Sequence, residues 1–313
     1  MTVNEITAEI NGQTYTLTAT SNENEYTAQL VRPEKSSGQY NNGEGPGVPA
    51  VCRGKGYYPV TLHATDDSGN VTTADDTDAE VGANLRVTVT ETVAPVVTLI
   101  SPTQGARTKN NKPAITFKAT DAGSGINTAS GRISIDGGAE AVVAMTGSGS
   151  EYNGTYTPAN ALIDGTHSIS IYVYDYDKNK SAVVTCSFIV DTIPPSLAVP
   201  YPENNARINT LESEVRVQTD DATSSPVTVE VFVNGTSQGN VTLNNDGTGT
   251  HPVTYIEGEN SLRVVATDAA GQVTEVTRTV YVDLNAPVIQ SVSIVPNPAD
   301  GGATLIITAV VTD

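Results

Sequence analysis

Carboxylates are the side chains of this sequence with the most chemistry to offer: 35 of its 313 residues are Asp or Glu, against 16 Lys or Arg. They gather at Asp66, Asp67, Asp75, Asp76 and Asp78 early in the chain, and stand at Asp191 and Asp283 just ahead of proline-bearing junctions. Grouped carboxylate oxygens hold hard cations such as Ca²⁺, and a cation beside an inter-domain hinge stiffens it. None of these groups has the ligand spacing of the twelve-residue helix-loop-helix calcium loop. Aspartate is also a turn former in its own right, because its carboxylate accepts from backbone amides two residues on. The reading is turn-forming aspartate on a solvated acidic surface, with no cofactor required and Ca²⁺ at the inter-domain carboxylates as the alternative.

Catalytic chemistry has little else to draw on. His63, His167 and His251 lie far apart, and none stands beside a Ser or Cys elbow or a metal-like cluster. His63 alternates with Val60, Leu62 and Ala64, which puts it on the exposed face of a strand. Cys186 alternates with Val184, Phe188 and Val190 and reads as a buried core thiol, not as a disulfide partner of Cys52. The chain is expected to be non-enzymatic. Its net charge of −19, with no basic stripe, excludes nucleic-acid backbone binding. No run of about eighteen apolar residues is present to span a membrane.

The elements that carry these residues repeat. Three junctions are alike, "TVTETVAPVVTLISP", "FIVDTIPPSLAVPYP" and "VYVDLNAPVIQSVSI", with aligned prolines Pro95, Pro195 and Pro287. Each opens a strand pair closing on an aspartate 26 residues after its proline: Asp121, Asp221 and Asp313. The later part of the unit also recurs three times. A strand turns at Asn11-Gly12, Asp136-Gly137 or Asn234-Gly235, the positive-φ pairs of tight hairpins. Then come "EYTAQLV", "EYNGTYTPA" or "THPVTYIEG", and an alternating strand ending on aspartate in "ATDDSGN", "YDYDKN" or "ATDAAGQ". Helices are expected to be nearly absent, because no long stretch shows a 3.6-residue apolar period.

Each unit is about seven short strands over roughly 95 residues, the size and turn density of an immunoglobulin-like sandwich. The "VDTIPPSLAV" junctions and "ATDDSGN" hairpins resemble the tandem immunoglobulin-like repeats of bacterial surface proteins and phage virion proteins, without the Cys…Trp…Cys core of true immunoglobulins. The resemblance implies an all-β rod of tandem sandwiches with a structural role. It also brings in the intramolecular Lys–Asn crosslink of some bacterial adhesin domains, for which Lys118 would have to be buried.

The repeat boundaries give residues 94–192 and 193–285 as complete domains. Residues 1–93 form a domain lacking its first two strands, and residues 286–313 are the first two strands of a further copy. The two fragments sum to one repeat, so the terminal domain is read as split between the N- and C-termini. Val292, Ile294, Leu305, Ile307, Ala309 and Val311 on one side, and Ile6, Ala8 and Ile10 on the other, are the expected assembly interface. Burying about five such side chains at ~1.5–3 kcal/mol each gives roughly 10 kcal/mol gross, enough to drive association. The expected partner is a second copy, head to tail, or another virion or surface protein receiving the strands. The N-terminus has neither the basic nor the apolar region of a signal peptide, so a virion or extracellular location reached by lysis is expected.

One segment departs from the repeat. "VRPEKSSGQYNNGEGPGVPAVCRGKGYY" (residues 31–58) is about seventeen residues longer than its counterpart and concentrates Arg32, Lys35, Arg53 and Lys55 with Tyr40, Tyr57 and Tyr58. Long loops on a sandwich carry binding surfaces. The alternative function is therefore a glycan- or cell-surface-binding adhesin module using this loop.

Overall fold

The computed structural model describes residues 2–38, 47–302 and 304–313. Among them there is no α-helix, only single 3-10 turns at Ala50–Cys52 and Gly82–Asn84. Runs rich in Val, Ile, Thr and Tyr form strands, and Gly-, Asn- and Asp-bearing pairs turn them. At the three hairpins Asn11, Asp136 and Asn234 take φ of 51°, 52° and 49°, each followed by a glycine with positive φ, as two-residue turns of this hand require. Contacts group the chain into two units, residues 1–106 with 110–190 and residues 107–109 with 191–313.

The first unit begins with a single sheet in the order Tyr26–Thr27, Gln13–Ala19, Val3–Ile10, Tyr58–Asp66, Val71–Ala74, with Arg86–Val87 pairing the start of Tyr58–Asp66. Its inner face carries Ala8, Ile10, Tyr58 and Val60, covered by Leu85 and Val89 and by Val48 and Cys52 from the long loop. That loop therefore packs part of the core. Within the recurring segment "EYTAQLV" Tyr26–Thr27 pairs with Gln13–Ala19. In the next domain the matching strand, Glu151–Tyr156, pairs instead with Ile115–Thr120.

The same unit continues into a complete two-sheet sandwich. One sheet runs Met145–Ser148, Glu151–Tyr156, Ile115–Thr120, Val96–Ser101; the other contains Ala141–Val143, Gly131–Ile135, Gly165–Tyr172 and Val184–Val190 in that order. Alternate residues from both sheets meet in a core of Ile115, Phe117, Ile126, Ile133, Ile171 and Phe188, none more than 1% exposed. Gly154 lies under Phe117, and a Cβ there would come within 2.3 Å of the ring.

The second unit repeats the design. Ser196–Tyr201, Glu212–Asp220 and Thr248–Thr254 form one sheet. Ala206–Ile208, Val273–Val282, Gly258–Thr267, Thr228–Val233 and Thr236–Asn240 form the other. The Ala206–Ile208 segment runs parallel to Val273–Val282. Val215, Val231, Leu262, Val264 and Val280 are fully buried between the sheets. After this sandwich comes a separate two-stranded ribbon, Val288–Val295 with Ile306–Thr312, every residue of which is exposed.

Candidate functional site

The structure brings together carboxylates that are far apart in the chain, and it does so twice. In the first unit Glu91, Asp121 and Asp175 each place one carboxylate oxygen within 4.8 Å of the others, and in the second Asp191, Asp221 and Asp268 do the same. The positions correspond. Glu91 and Asp191 stand four residues before Pro95 and Pro195, Asp121 and Asp221 close the first strand pair, and Asp175 and Asp268 end the alternating strand. Each cage thus joins the segment entering a sandwich to two turns at one end of it.

Local hydrogen bonds aim the carboxylates. Asp175 accepts from the backbone N–H and the side-chain amide of Asn179, both at 2.7 Å, and the same amide donates to the Glu91 carbonyl at 3.1 Å. Asp121 Oδ2 accepts from Gly125 N at 2.5 Å, while Glu91 accepts from Ser124 N. The Glu91 carboxylate occupies the space that a Cβ on Gly123 would take, so a side chain there would displace it from the cage. In the second cage Asp268 Oδ1 accepts from Ala270 N and Gln272 N, both at 2.8 Å, Asp191 Oδ1 from Ile193 N at 3.1 Å, and Asp221 Oδ1 from Thr223 N at 2.9 Å. Asp175 and Asp191 are fully buried, and Asp121 and Asp268 are 5% exposed.

Such crowding raises proton affinity. Burial, joined by the charges of Glu91 and Asp175, pushes Asp121 up to about 6. Burial likewise raises Asp175 and Asp191, the latter also through the charges of Asp221 and Asp268.

Asp191, weighed in the sequence as a cation ligand, joins a cage, as do Asp121 and Asp221, read there as closing the strand pairs; the other aspartates weighed as ligands do not. Asp66, Asp75 and Asp78 accept from backbone amides two to four residues on, as turn formers do. Asp76 accepts from Lys55 at 2.8 Å and from the Tyr57 hydroxyl at 3.0 Å, Asp67 from Thr2, and Asp283 from Asn285 N at 3.0 Å. The missed members are Glu91, marked only by its place four residues before a junction proline, and Asp175 and Asp268, marked by their shared place at the end of an alternating strand.

The remaining candidates are dispersed. Arg32, Lys35, Arg53 and Lys55 are exposed, and Tyr40 lies outside the described residues. Tyr58 is buried, its hydroxyl donating to the Lys35 carbonyl at 3.0 Å, which corrects its placement among surface-binding residues. A cleft of about 300 Å³ beside it is lined by Tyr15, Arg32, Glu34 and Lys35. Lys118 is not buried: its ammonium pairs with Glu151 at 2.5 Å with the side chain 37% exposed, so the crosslink lacks its apolar site. Cys52 and Cys186 are free, buried thiols. His63 is half-buried, with Nδ1 3.0 Å from Thr73 Oγ1, and His251 donates to the Gln238 carbonyl.

His167 is held by two contacts in the second domain. Its buried ring has Nδ1 2.7 Å from Asp136 Oδ2 and Nε2 2.7 Å from the Ile163 carbonyl, two acceptors that suit a doubly protonated imidazolium. Burial lowers its proton affinity, but the Ile163 carbonyl and the Asp136 carboxylate outweigh it, and the net shift is upward. Asp136 is shifted downward. A raised folded-state pKa gives stability that is complete below the unfolded value of about 6.5 and lost as pH rises through the folded value. Asp136 acts oppositely, its contribution disappearing as pH falls through its depressed value. The 94–192 domain is therefore expected to lose melting temperature as pH is raised from about 6 to 8, and His167→Gln to flatten that slope in a thermal-melt series. An unchanged slope in the variant would refute the assignment.

The expected assembly residues fall into two groups. Val292, Ile294, Ile307, Ala309 and Val311 are all exposed on the ribbon, Ile307 by 67%, and Leu305, exposed too, lies just ahead of its second strand. Its register sets Val292 opposite Ala309 and Ile294 opposite Ile307 on one face. The corresponding pair strands of the 94–192 sandwich set Val97 opposite Ala119 and Leu99 opposite Phe117, and there Phe117 is wholly buried. At the N-terminal sheet Ile6 is half-buried, while Ala8 and Ile10 are already covered by Val48, Cys52 and Tyr58.

Comparison with known proteins agrees with this architecture. Residues 95–171 match the family described as bacterial Ig domain, and residues 195–284 the family described as glucodextranase domain B. No curated protein matches the chain. Among solved structures the chain is similar to the fibronectin(III)-like modules of Clostridium thermocellum CbhA, with 18% identity, a TM-score of 0.40, and coverage of 60% of this chain and 94% of that one. It is also similar to a three-Ig segment of titin, with 10% identity, a TM-score of 0.38, and 90% and 88% coverage. A further similar structure is Bacteroides ovatus SGBP-B in complex with a mixed-linkage heptasaccharide, with 12% identity, a TM-score of 0.21, and 95% and 65% coverage. Two family matches laid over two complete two-sheet sandwiches make the chain a tandem of immunoglobulin-like β-sandwiches.

Proposed function

We propose that this chain is a non-enzymatic structural protein whose ribbon, Val288–Val295 with Ile306–Thr312, completes the N-terminal sheet of a second copy, joining copies head to tail into a fibre or a surface decoration. Immunoglobulin-like domains serve as structural or binding modules, and bacterial Ig domains are typically extracellular or at a surface. A cell or virion surface is the setting this reading favours.

The observation that carries it is the ribbon. Two strands with an apolar face are marginal alone in water, and their free edges template strand pairing. Ile307, Ala309 and Val311 stand as far from Pro287 as the buried Ile115, Phe117 and Ala119 stand from Pro95, and Ile289 opposite Val311 matches Val97 opposite Ala119. The N-terminal sheet offers the complementary hairpin and alternating strands without an opening pair. The contact is heterologous, so repetition gives open filaments.

Sedimentation velocity tests this on the full chain and on Ile307→Asp, a change at an exposed position that leaves the monomer intact. The parent is expected to grow from monomer to long species over a rising concentration series, and the variant to remain monomeric. A parent that stays monomeric throughout would contradict self-complementation and assign the ribbon to other strands. The second reading, glycan binding, rests on the cleft beside Arg32 and Lys35. Polysaccharide retention by the monomeric variant, lost on replacing those two residues, would favour it.

A further inference from the structure

We propose that each carboxylate cage, Glu91/Asp121/Asp175 and Asp191/Asp221/Asp268, is a binding site for one calcium-class divalent cation, which fastens the segment entering a sandwich to two turns of that sandwich. Three acidic side chains drawn within 4.8 Å of one another, mostly buried, repel each other unless protons or a cation intervene. The charges bearing on Asp121 are those of Glu91 and Asp175, and those bearing on Asp191 are Asp221 and Asp268.

Unpartnered oxygens mark the same places independently. In the second cage the Oδ1 atoms of Asp191 and Asp268 serve the local turns, while the Oδ2 atom of each is buried with no hydrogen-bond partner. Ser224 is wholly buried, its hydroxyl making no close hydrogen bond but bearing on the Asp191 carboxylate, and its backbone N–H holds Asp221 Oδ1 at 2.5 Å. Beside the first cage Asp177, 8% exposed, has an unpartnered Oδ1, while its Oδ2 accepts from Glu91 N at 2.9 Å and from the Ser36 hydroxyl. Buried polar atoms are normally satisfied, so the orphaned oxygens within the second cage, and the one beside the first, call for a positive partner.

The donor set selects the ion. Every candidate ligand is oxygen, and neither cage contains His or Cys, which disfavours zinc and copper. Calcium takes six to eight oxygens in irregular geometry, as carboxylates supplemented by hydroxyl, carbonyl and water would provide; magnesium demands a tighter octahedron. Construction of the site at equivalent positions in two sandwiches argues that it is a designed feature and not a chance crowding of turns. The proposal stands independently of head-to-tail assembly.

The test uses the full chain stripped with chelator and titrated with CaCl₂ at dilute concentration. Calorimetry is expected to show two sites per chain, filling in the micromolar-to-millimolar range. At about a hundredfold excess over Kd, linkage raises the melting temperature of both sandwiches by on the order of 10 °C. Asp121→Asn and Asp191→Asn should each leave one site. Both replacements are isosteric and remove like-charge repulsion, so each variant should melt in chelator at or above the parent's temperature, which separates lost binding from misfolding. Asp246→Asn, at an exposed turn, should retain both sites. The absence of calcium heat and of a melting shift, or a shift matched by NaCl at equal ionic strength, would overturn the proposal. So would two sites surviving in the cage variants.

Discussion

Phe117→Ala lowers the stability of the 94–192 sandwich by about 3–5 kcal/mol, the range for removing a large aromatic from a packed core. Phe117 is wholly buried in the strand Ile115–Thr120, at the centre of the cluster that includes Ile133, Ile171 and Phe188. Gly154 lies against its ring on the neighbouring strand, so no side chain there can swing in to fill the cavity. Domains of this size hold about 5–15 kcal/mol in total, so the loss is a large share of the stability. At about 4–8 °C per kcal/mol it shifts the melting transition down by on the order of 15–30 °C. Calorimetry should show one transition moving while that of the 193–285 sandwich stays, since the two cores share no residue. A shift equivalent to less than about 1 kcal/mol would mean that Phe117 is not the centre of this core.

How much of this was readable from sequence depends on the range of the interaction. The Asn11-Gly12, Asp136-Gly137 and Asn234-Gly235 turns were legible because positive φ is a local demand met by particular residues. The inward sets Val60/Leu62, Ile169/Ile171 and Leu262/Val264 were legible because strand alternation has period two. The packing of Val48 and Cys52 was hidden, since an irregular loop has no period to reveal which side faces in. The cages were hidden for another reason. Asp191, Asp221 and Asp268 are neighbours only after the sheets have formed, and each by itself reads as a turn residue. The constant 26-residue step from junction proline to Asp121 and Asp221 was the trace left in the sequence, and it reported the repeat before it reported a site.

The second large effect concerns the ribbon. Undocked, Ile306–Thr312 is paired on one side only, with its apolar face in water, and its amides should exchange at close to free-chain rates. Docked into a second copy it becomes an interior strand, and burial of Ile294, Ile307 and Val311 should slow exchange by at least about a hundredfold, equivalent to about 2.7 kcal/mol. The joint would also set Asp283 and Asp313 of one copy near Asp66 of the next, the positions equivalent to Asp191, Asp221 and Asp268.

The most direct measurement is hydrogen–deuterium exchange of residues 288–312 in the full chain across a dilution series, with Ile307→Asp as reference. Head-to-tail complementation predicts strong protection at high concentration that disappears on dilution and is absent from the variant at every concentration. Exchange that is fast and independent of concentration in the parent, matching the variant throughout, would contradict it.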